Sequence, residues 1–249
     1  MCSIIYPMSN DSQQKRFIMY ITIPVIVALA MILPIIVHFI DKPAPAAIWY
    51  FNNETQSYMY KGDKSQINAT SITIPDEYQK FPVTEIAAGA FKNFKQLKTV
   101  VLSANLKKIY DNAFYGCEKL VSIDIPNGVD EIQFGAFENC TALIAVKLPT
   151  ALTEITGWTF QNCTSLTSVT ISENITHIGT TAFKDCTSLK SITIMRTADM
   201  VNILSDTFSG CPLENVWVLD PNILNEYKSD TPESWIPYKD IISLLSPQP

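Results

Sequence analysis

Residues 113–132 read AFYGCEKLVSIDIPNGVDEI, and versions of this phrase recur along the chain about every 23 residues. Each copy opens on a Phe, and the six successive positions differ by 23, 23, 23, 23 and 25 residues: Phe91, Phe114, Phe137, Phe160, Phe183 and Phe208. A fixed period of this size indicates stacked supersecondary units, each of which buries its apolar face against its neighbours. The sequence therefore predicts a repeat solenoid.

One repeat contains three kinds of local pattern. Residues 120–126 alternate between apolar and polar side chains, which is typical of a strand with one buried face, and Pro126 ends that strand because it cannot donate a backbone hydrogen bond. Residues 129–132 predict a second, shorter extended piece. Residues 136–140 predict about one helical turn with Phe137 and Cys140 pointing inward. We expect parallel stacking of such coils at about 4.8 Å, with a short helix or a 3₁₀ turn between the strands.

The cysteines recur three positions after the Phe and should form an inward ladder: Cys117, Cys140, Cys163, Cys186 and Cys211. Parallel Cβ vectors in neighbouring coils do not close to the roughly 3.8 Å of a disulfide, so we expect a buried, reduced spine. A ladder also diverges along the axis, whereas tetrahedral zinc needs converging ligands, and no metal site is expected. Asn139 and Asn162 precede two of these cysteines within N-x-Ser/Thr triplets, where we expect a role in the turn.

Residues 17–40 form a block of 24 residues without Asp, Glu, Lys or Arg. As a helix the block would rise about 36 Å, enough to cross a hydrocarbon core of about 30 Å. Lys15 and Arg16 precede it, so the positive-inside rule predicts a cytoplasmic N-terminus and extracellular repeats in a single-pass membrane protein. The alternative is a signal peptide cleaved near Ala46, after which the protein is secreted.

The rest of the chain follows from these assignments. Asp220 and Pro221 supply an N-cap and a first helical position, which predicts a helix over 221–228. The predicted organisation is a cytoplasmic tail at 1–16, a transmembrane helix at 17–40, a linker at 41–47, an N-terminal capping hairpin at 48–71, repeats at 72–219 and a C-terminal cap at 220–249.

The sequence gives no support for catalysis. Its two histidines are His38, in the apolar block, and His177, at an outward position of a repeat. Neither is placed to activate a Ser or Cys nucleophile, so we predict no enzyme, no catalytic residue, no cofactor and no small-molecule substrate. The net charge of −6 gives no electrostatic reason to bind nucleic acid.

The repeated phrase resembles the BspA-like branch of the leucine-rich repeat proteins over about residues 48–245. The motif Ala-Phe-x-x-Cys-x-x-Leu-x-x-Ile-x-Ile-Pro carries the resemblance, together with the strand exit at 124–129. The resemblance implies a right-handed leucine-rich-repeat solenoid of the α/β class, and surface or secreted proteins of bacteria and some protists, some of which are implicated in adhesion. The departures are Phe94 in place of Cys, an insertion at 196–204, and two Thr residues in place of Ala, Thr159 and Thr207; Thr181 stands one position before the Ala of its copy.

Binding specificity is expected from outward positions, because inward positions repeat. The candidate partner-binding residues form one outward column on the strands, joined by one exposed aromatic residue elsewhere: Val101, Asp124, Lys147, Thr170, Thr193 and Trp217, with Trp158. The column should tile a flat face with an exposed apolar residue at each end, and solenoid faces commonly bind proteins. We therefore expect non-catalytic binding of a protein or glycan ligand. The alternatives are a sensor ectodomain that works with a partner subunit, and a structural spacer.

Overall fold

The structure is a computed structural model and describes residues 49–197, 199–204, 206–229 and 233–245. The described residues belong to one compact unit, residues 47–249. The predicted cytoplasmic tail, transmembrane helix and linker lie outside the described residues. Within the described ranges, no helix has the length and apolar character that a membrane crossing needs.

The described unit consists mainly of short strands. In chain order these are β1 (Trp49–Asn52), β2 (Ser57–Tyr60), β3 (Ser71–Thr73), β4 (Glu77–Tyr78), β5 (Phe81–Ile86), β6 (Thr99–Val101), β7 (Lys108–Ile109), β8 (Ser122–Asp124), β9 (Glu131–Ile132), β10 (Ala145–Lys147), β11 (Glu154–Ile155), β12 (Ser168–Ile171), β13 (His177–Ile178), β14 (Ser191–Ile194), β15 (Asn202–Ile203), β16 (Asn215–Val218) and β17 (Ile242–Leu244). One α-helix, α1 (Pro221–Ser229), and two 3₁₀ segments, Lys64–Gln66 and Glu233–Ile241, complete the described elements.

The strands stack as the period predicts. Strands β8, β10, β12, β14, β16 and β17 form one parallel sheet, and β3 pairs with β6 in a two-stranded parallel sheet. The shorter strands form two further parallel stacks, β5-β7-β9 and β11-β13-β15. Only the terminal hairpin β1–β2 and the pair β4–β5 are antiparallel among the described pairings. The predicted solenoid of stacked parallel strands is confirmed.

The core is a ladder of phenylalanine rings, here called the Phe ladder: Phe91, Phe114, Phe137, Phe160, Phe183 and Phe208. Successive rings are stacked with centroids 4.8–5.4 Å apart and planes within 4–14° of parallel. Tyr60 of β2 stacks on the first ring at 5.2 Å, and Trp235 contacts the last at 6.1 Å. Both ends of the ladder are therefore covered by aromatic side chains from outside the repeats.

The segment that joins the short strand to the Phe ladder forms successive turns, so of the two predicted forms at 136–140 the 3₁₀ turn fits and a regular short helix does not. Glu138 and Cys140 donate backbone hydrogen bonds three residues back within the coil, while Phe137 and Asn139 donate to the next coil, both at 2.9 Å. The backbone N–H groups alternate between two destinations, which a helix cannot provide. Asn139 and Asn162 have φ of 61° and 59°, so these residues serve the turn as expected.

The C-terminal segment fixes the insertion at 196–204. Helix α1 begins as predicted, with Asp220 accepting a hydrogen bond from the Asn222 N–H at 2.7 Å. The Val201 N–H donates to the hydroxyl of Tyr227 at 2.9 Å, and the Trp235 indole donates to the Val201 carbonyl at 2.8 Å. Strand β17, which the sequence does not indicate, then pairs with β16 and adds one more strand to the long sheet.

Candidate partner-binding face

The outward residues of the long strands form a continuous surface, here called the strand face. The predicted column is in register across it: Asp124 pairs with Lys147, Lys147 with Thr170, Thr170 with Thr193, and Thr193 with Trp217. Strand residues alternate between exposed and buried, as in β8 and β10. Val101, at 57% exposure, precedes this column on β6, in the neighbouring two-stranded sheet. The structure thus brings five of the seven candidates into one column across the sheet.

Small side chains line the neighbouring column of the strand face. In β8, β10, β12 and β14 these are Ser122, Ala145, Ser168 and Ser191. Thr99 of β6 donates a hydrogen bond from its hydroxyl to that of Ser71 on β3 at 2.9 Å. Residues of this size leave the backbone of the sheet close to the surface, so the strand face is flat and accessible to a large partner.

The C-terminal end of the strand face differs from expectation. Trp217 was expected as an exposed apolar residue, but its side chain is half-buried. Strand β17 lies beside β16 and places Ser243 in register with Trp217. Trp217 therefore lies inside the sheet instead of at its edge. The exposed residues of the column are mainly polar.

Two exposed apolar residues next to the strand face were not singled out from the sequence. Val121 and Ile144, exposed by 42% and 49%, immediately precede the residues of β8 and β10. The Ile144 N–H donates to the Val121 carbonyl at 3.0 Å, so the two residues lie on adjacent coils. The corresponding residues of other coils are Lys98, Thr167 and Lys190. The replacement of these polar residues by apolar ones is the signal that could have revealed Val121 and Ile144.

Trp158 does not belong to the strand face. It lies in the turn after β11, is 44% exposed, and contacts Phe134 of the preceding coil with ring centroids 5.8 Å apart. Phe134 is itself 51% exposed and was not identified from the sequence. The structure therefore separates Trp158 from the other candidates and gives it an aromatic neighbour.

Exposed ion pairs on neighbouring coils add charge around the array. Lys190 contacts Glu214 and Lys95 contacts Glu118, both at 2.7 Å, with side chains about half exposed. Such pairs contribute about 0–1 kcal/mol to stability. They order the coil surfaces without making a deep site.

The cysteine ladder has the reduced form that was expected. All five cysteines of the ladder have free thiols, and four of them are buried. Each Sγ donates to a backbone carbonyl of the Phe ladder at 3.0–3.3 Å, as Cys140 does to Phe114. Burial raises the pKa of the Cys117 and Cys163 thiols to about 12, so these groups stay protonated and are poor nucleophiles at neutral pH. In the part of the chain that the structure describes, no cluster of three or more His, Cys, Asp or Glu side chains could hold a metal ion.

Comparison with known families fits this geometry. The sequence matches the BspA type leucine rich repeat region in six copies, over residues 56–166 and 108–225. The chain belongs to this family. The resemblance drawn from the repeated phrase is confirmed, and the repeat columns of the sequence are those that build the Phe and Cys ladders.

Solved structures show the same fold. The crystal structure of the T. pallidum leucine rich repeat protein is 27% identical, with 70% of this chain and 81% of that chain covered and a TM-score of 0.61. A leucine-rich repeat protein from Eubacterium ventriosum is 22% identical, with 68% of this chain and 51% of that chain covered and a TM-score of 0.54. Among curated proteins, none matches this chain.

Proposed function

We propose that this member of the BspA type leucine-rich repeat family is a non-catalytic, membrane-anchored surface protein that binds a protein partner through its strand face. The observation that carries the proposal is the exposed column Asp124–Lys147–Thr170, which the repeats hold in register although its residues differ from coil to coil. The buried, repeated residues stabilise the fold, so the exposed residues can vary without loss of the fold. Extended solenoid faces commonly serve as protein-binding surfaces.

Charge on the strand face favours a partner with polar and charged contacts. Asp124 and Lys147 lie on adjacent strands, so a partner meets opposite charges one strand spacing apart. Val121 and Ile144 supply apolar area beside this pair. Interfaces combine an apolar centre with a polar surround, and Val121, Ile144 and the two charges offer both within neighbouring coils.

Display on a membrane is the second part of the proposal. Residues 17–40 are long and apolar enough to span a bilayer, and Lys15 with Arg16 favours a cytoplasmic N-terminus. The repeats would then face the cell exterior. Protease treatment of intact cells should remove the repeats from the full-length chain. Repeats that stay protected on intact cells, while permeabilised cells lose them, contradict this topology.

The binding test uses the full chain displayed on cells, with chemical crosslinking and recovery of the attached proteins. Lys147→Glu should reduce recovery of the partner by at least about tenfold, since charge reversal at an interface centre weakens binding strongly. Thr170→Arg, which adds bulk to the same row, should do the same. Lys107→Glu reverses an equally exposed charge in the turn before β7 and serves as the matched control.

Three outcomes distinguish the candidates. Partner recovery lost in Lys147→Glu and Thr170→Arg, but kept in Lys107→Glu, supports the strand face. Recovery that is equal in all variants excludes the strand face as the binding surface. A recovered partner that is a membrane protein of the same cell indicates the ectodomain of a receptor complex. If no protein is recovered, the structural spacer is favoured.

A further inference from the structure

The exposed rings of Phe134 and Trp158, here called the aromatic pair, stand out from the rest of the turns. They belong to neighbouring coils, are 51% and 44% exposed, and have planes inclined by 53°. Both precede the Phe ladder residue of their coil, and neither contributes to the strand face. Two large exposed rings in contact provide a bent aromatic surface that no packing requirement of the core explains.

Trp158 is held in an unfavourable backbone conformation. Its φ is +58°, and the equivalent residues of other coils, at φ of 53–61°, are Gly89, Asn112, Gly135 and Thr181. Gly and Asn tolerate this left-handed region, whereas a bulky residue there is an outlier. Strained residues of this kind persist most often at ligand sites, where the position of the side chain matters more than its cost. The repeat would fold more easily with Gly at position 158.

A glycine makes room for the other ring. A Cβ at Gly157 would lie 3.4 Å from Cε1 of Phe134 and 3.1 Å from the carbonyl oxygen of Thr180. Thr180 occupies the equivalent position of the next coil, and Asp111 that of an earlier coil. Phe134 and Gly157 thus occupy a column whose residue varies from coil to coil, and together with Trp158 they build the aromatic pair.

A carboxylate lies near one residue of the aromatic pair. Oε2 of Glu138 lies 3.1 Å from the position that a Cβ would take at Gly135, directly after Phe134 in the chain. Burial raises the pKa of this carboxyl group. Its Oε2 atom offers a hydrogen-bond acceptor to a ligand that brings hydroxyl groups.

We propose that the aromatic pair, with Glu138 beside it, binds a pyranose unit of a neutral glycan. A pyranose ring combines an apolar face of C–H groups, whose partial positive charge suits the negative face of an aromatic ring, with a rim of hydroxyl donors. A purely apolar ligand would cover the Glu138 carboxylate without offering it a hydrogen-bond donor, which is unfavourable. An acidic sugar would meet the Glu138 carboxylate and the net charge of −6 of the chain. The site lies off the strand face, so it stands or fails independently of the proposed protein binding.

The test measures binding of cellohexaose, maltohexaose and chitohexaose to the purified full chain by isothermal titration calorimetry, at millimolar sugar. At least one of these neutral sugars should bind. Trp158→Ala and Phe134→Ala should each weaken that binding by at least about tenfold, since aromatic anchors dominate small interfaces. Tyr50→Ala removes a ring of 54% exposure from β1 and should leave binding unchanged. Thermal unfolding of each variant shows that the fold is retained.

A further variant separates the role of the carboxylate from that of the rings. Glu138→Gln should keep binding of the neutral sugar within a few-fold and should allow an acidic hexasaccharide of galacturonate to bind, which the unaltered chain rejects. The proposal is overturned if none of the neutral sugars binds, or if binding survives both ring substitutions. It is also overturned if Trp158→Ala abolishes recovery of a protein partner from cells while sugar binding is absent.

Discussion

The Phe ladder and the aromatic pair place phenyl or indole rings on adjacent coils, yet they differ in every other respect. Ladder rings are 0–1% exposed and nearly parallel, whereas the rings of Phe134 and Trp158 are about half exposed and inclined by 53°. The ladder repeats in each coil, whereas Phe134 and Trp158 occupy columns whose residues vary. Residues that obey the period hold the coils together, and the two rings of the aromatic pair remain at the surface.

Removing one ring from the middle of the ladder should have the largest effect on stability. Phe160→Ala leaves a cavity between Phe137 and Phe183, and such truncations cost about 3–5 kcal/mol. Urea unfolding followed by circular dichroism measures the loss. Phe134→Ala is the matched control and should cost less than about 1 kcal/mol, because its ring is half exposed. Equal losses in the two variants would remove the distinction between ladder and pair.

The C-terminal end of the ladder should depend on one hydrogen bond as well as on packing. Trp235→Phe keeps an aromatic ring next to Phe208 but leaves the Val201 carbonyl without its indole donor. A buried acceptor left unpaired costs about 1–3 kcal/mol. Thermal unfolding measures the change, and amide hydrogen exchange should show earlier opening near Val201 than near Phe114. Uniform exchange along the array would show that the ladder does not end in a separately stabilised cap.

A substitution in the aromatic pair should change the free energy of unfolding in the opposite direction from one in the Phe ladder. Trp158→Gly relieves a side chain from the left-handed region and should stabilise the fold by up to about 1 kcal/mol, although it removes half of the aromatic pair. Trp158→Asn, which follows the example of Asn112, should be close to neutral. Chemical denaturation measures both. A loss above 1 kcal/mol in Trp158→Gly would mean that the indole packs as a structural residue.

The smallest effect is expected at the exposed pair of Lys108 and Glu131, which are 2.7 Å apart. Hydrogen bonds, first from Lys108 and then from Gln133, lower the pKa of Glu131. A carboxyl whose folded-state pKa is lowered stabilises the protein above its unfolded pKa, and this contribution disappears as the pH falls through the folded pKa. Glu131→Gln should therefore cost a few tenths of a kcal/mol at pH 7.

The difference between this variant and the unaltered chain should shrink and disappear as the pH falls through the folded-state pKa of Glu131, when both proteins are compared by urea unfolding at a series of pH values. A difference that persists at low pH would assign the effect to packing instead of charge. At neutral pH, it should stay far smaller than that of Phe160→Ala in the ladder.

The sequence predicts the ladders well because each column is sampled several times. The Phe and Cys columns, the strand register and the outward row from Asp124 to Thr193 all follow from the 23-residue period. The sequence left a short helix and a 3₁₀ turn open at 136–140, because an apolar residue every third position suits both. The deciding fact is that the N–H of Asn139 bonds to the next coil, and spacing within one repeat cannot show it.

Features that occur once were harder to predict. Strand β17 has no repeat to place it, so the half-burial of Trp217 could not be foreseen. Phe134 was missed because its column holds Asp111, Gly157 and Thr180, which share no chemistry. Its contact with Trp158 depends on the space that Gly157 leaves, and that space is visible only in three dimensions.

The attachment of Val201 to Tyr227 and Trp235 also governs how this architecture can change in length. The C-terminal segment contacts Val201 in the insertion at 196–204 and not a residue of the repeated phrase. These contacts therefore require the irregular coil immediately before the segment. Copies of a regular coil can be gained or lost upstream of residue 196 while this fit is kept. Each such step would lengthen or shorten the strand face by one strand and leave both ends of the array unchanged.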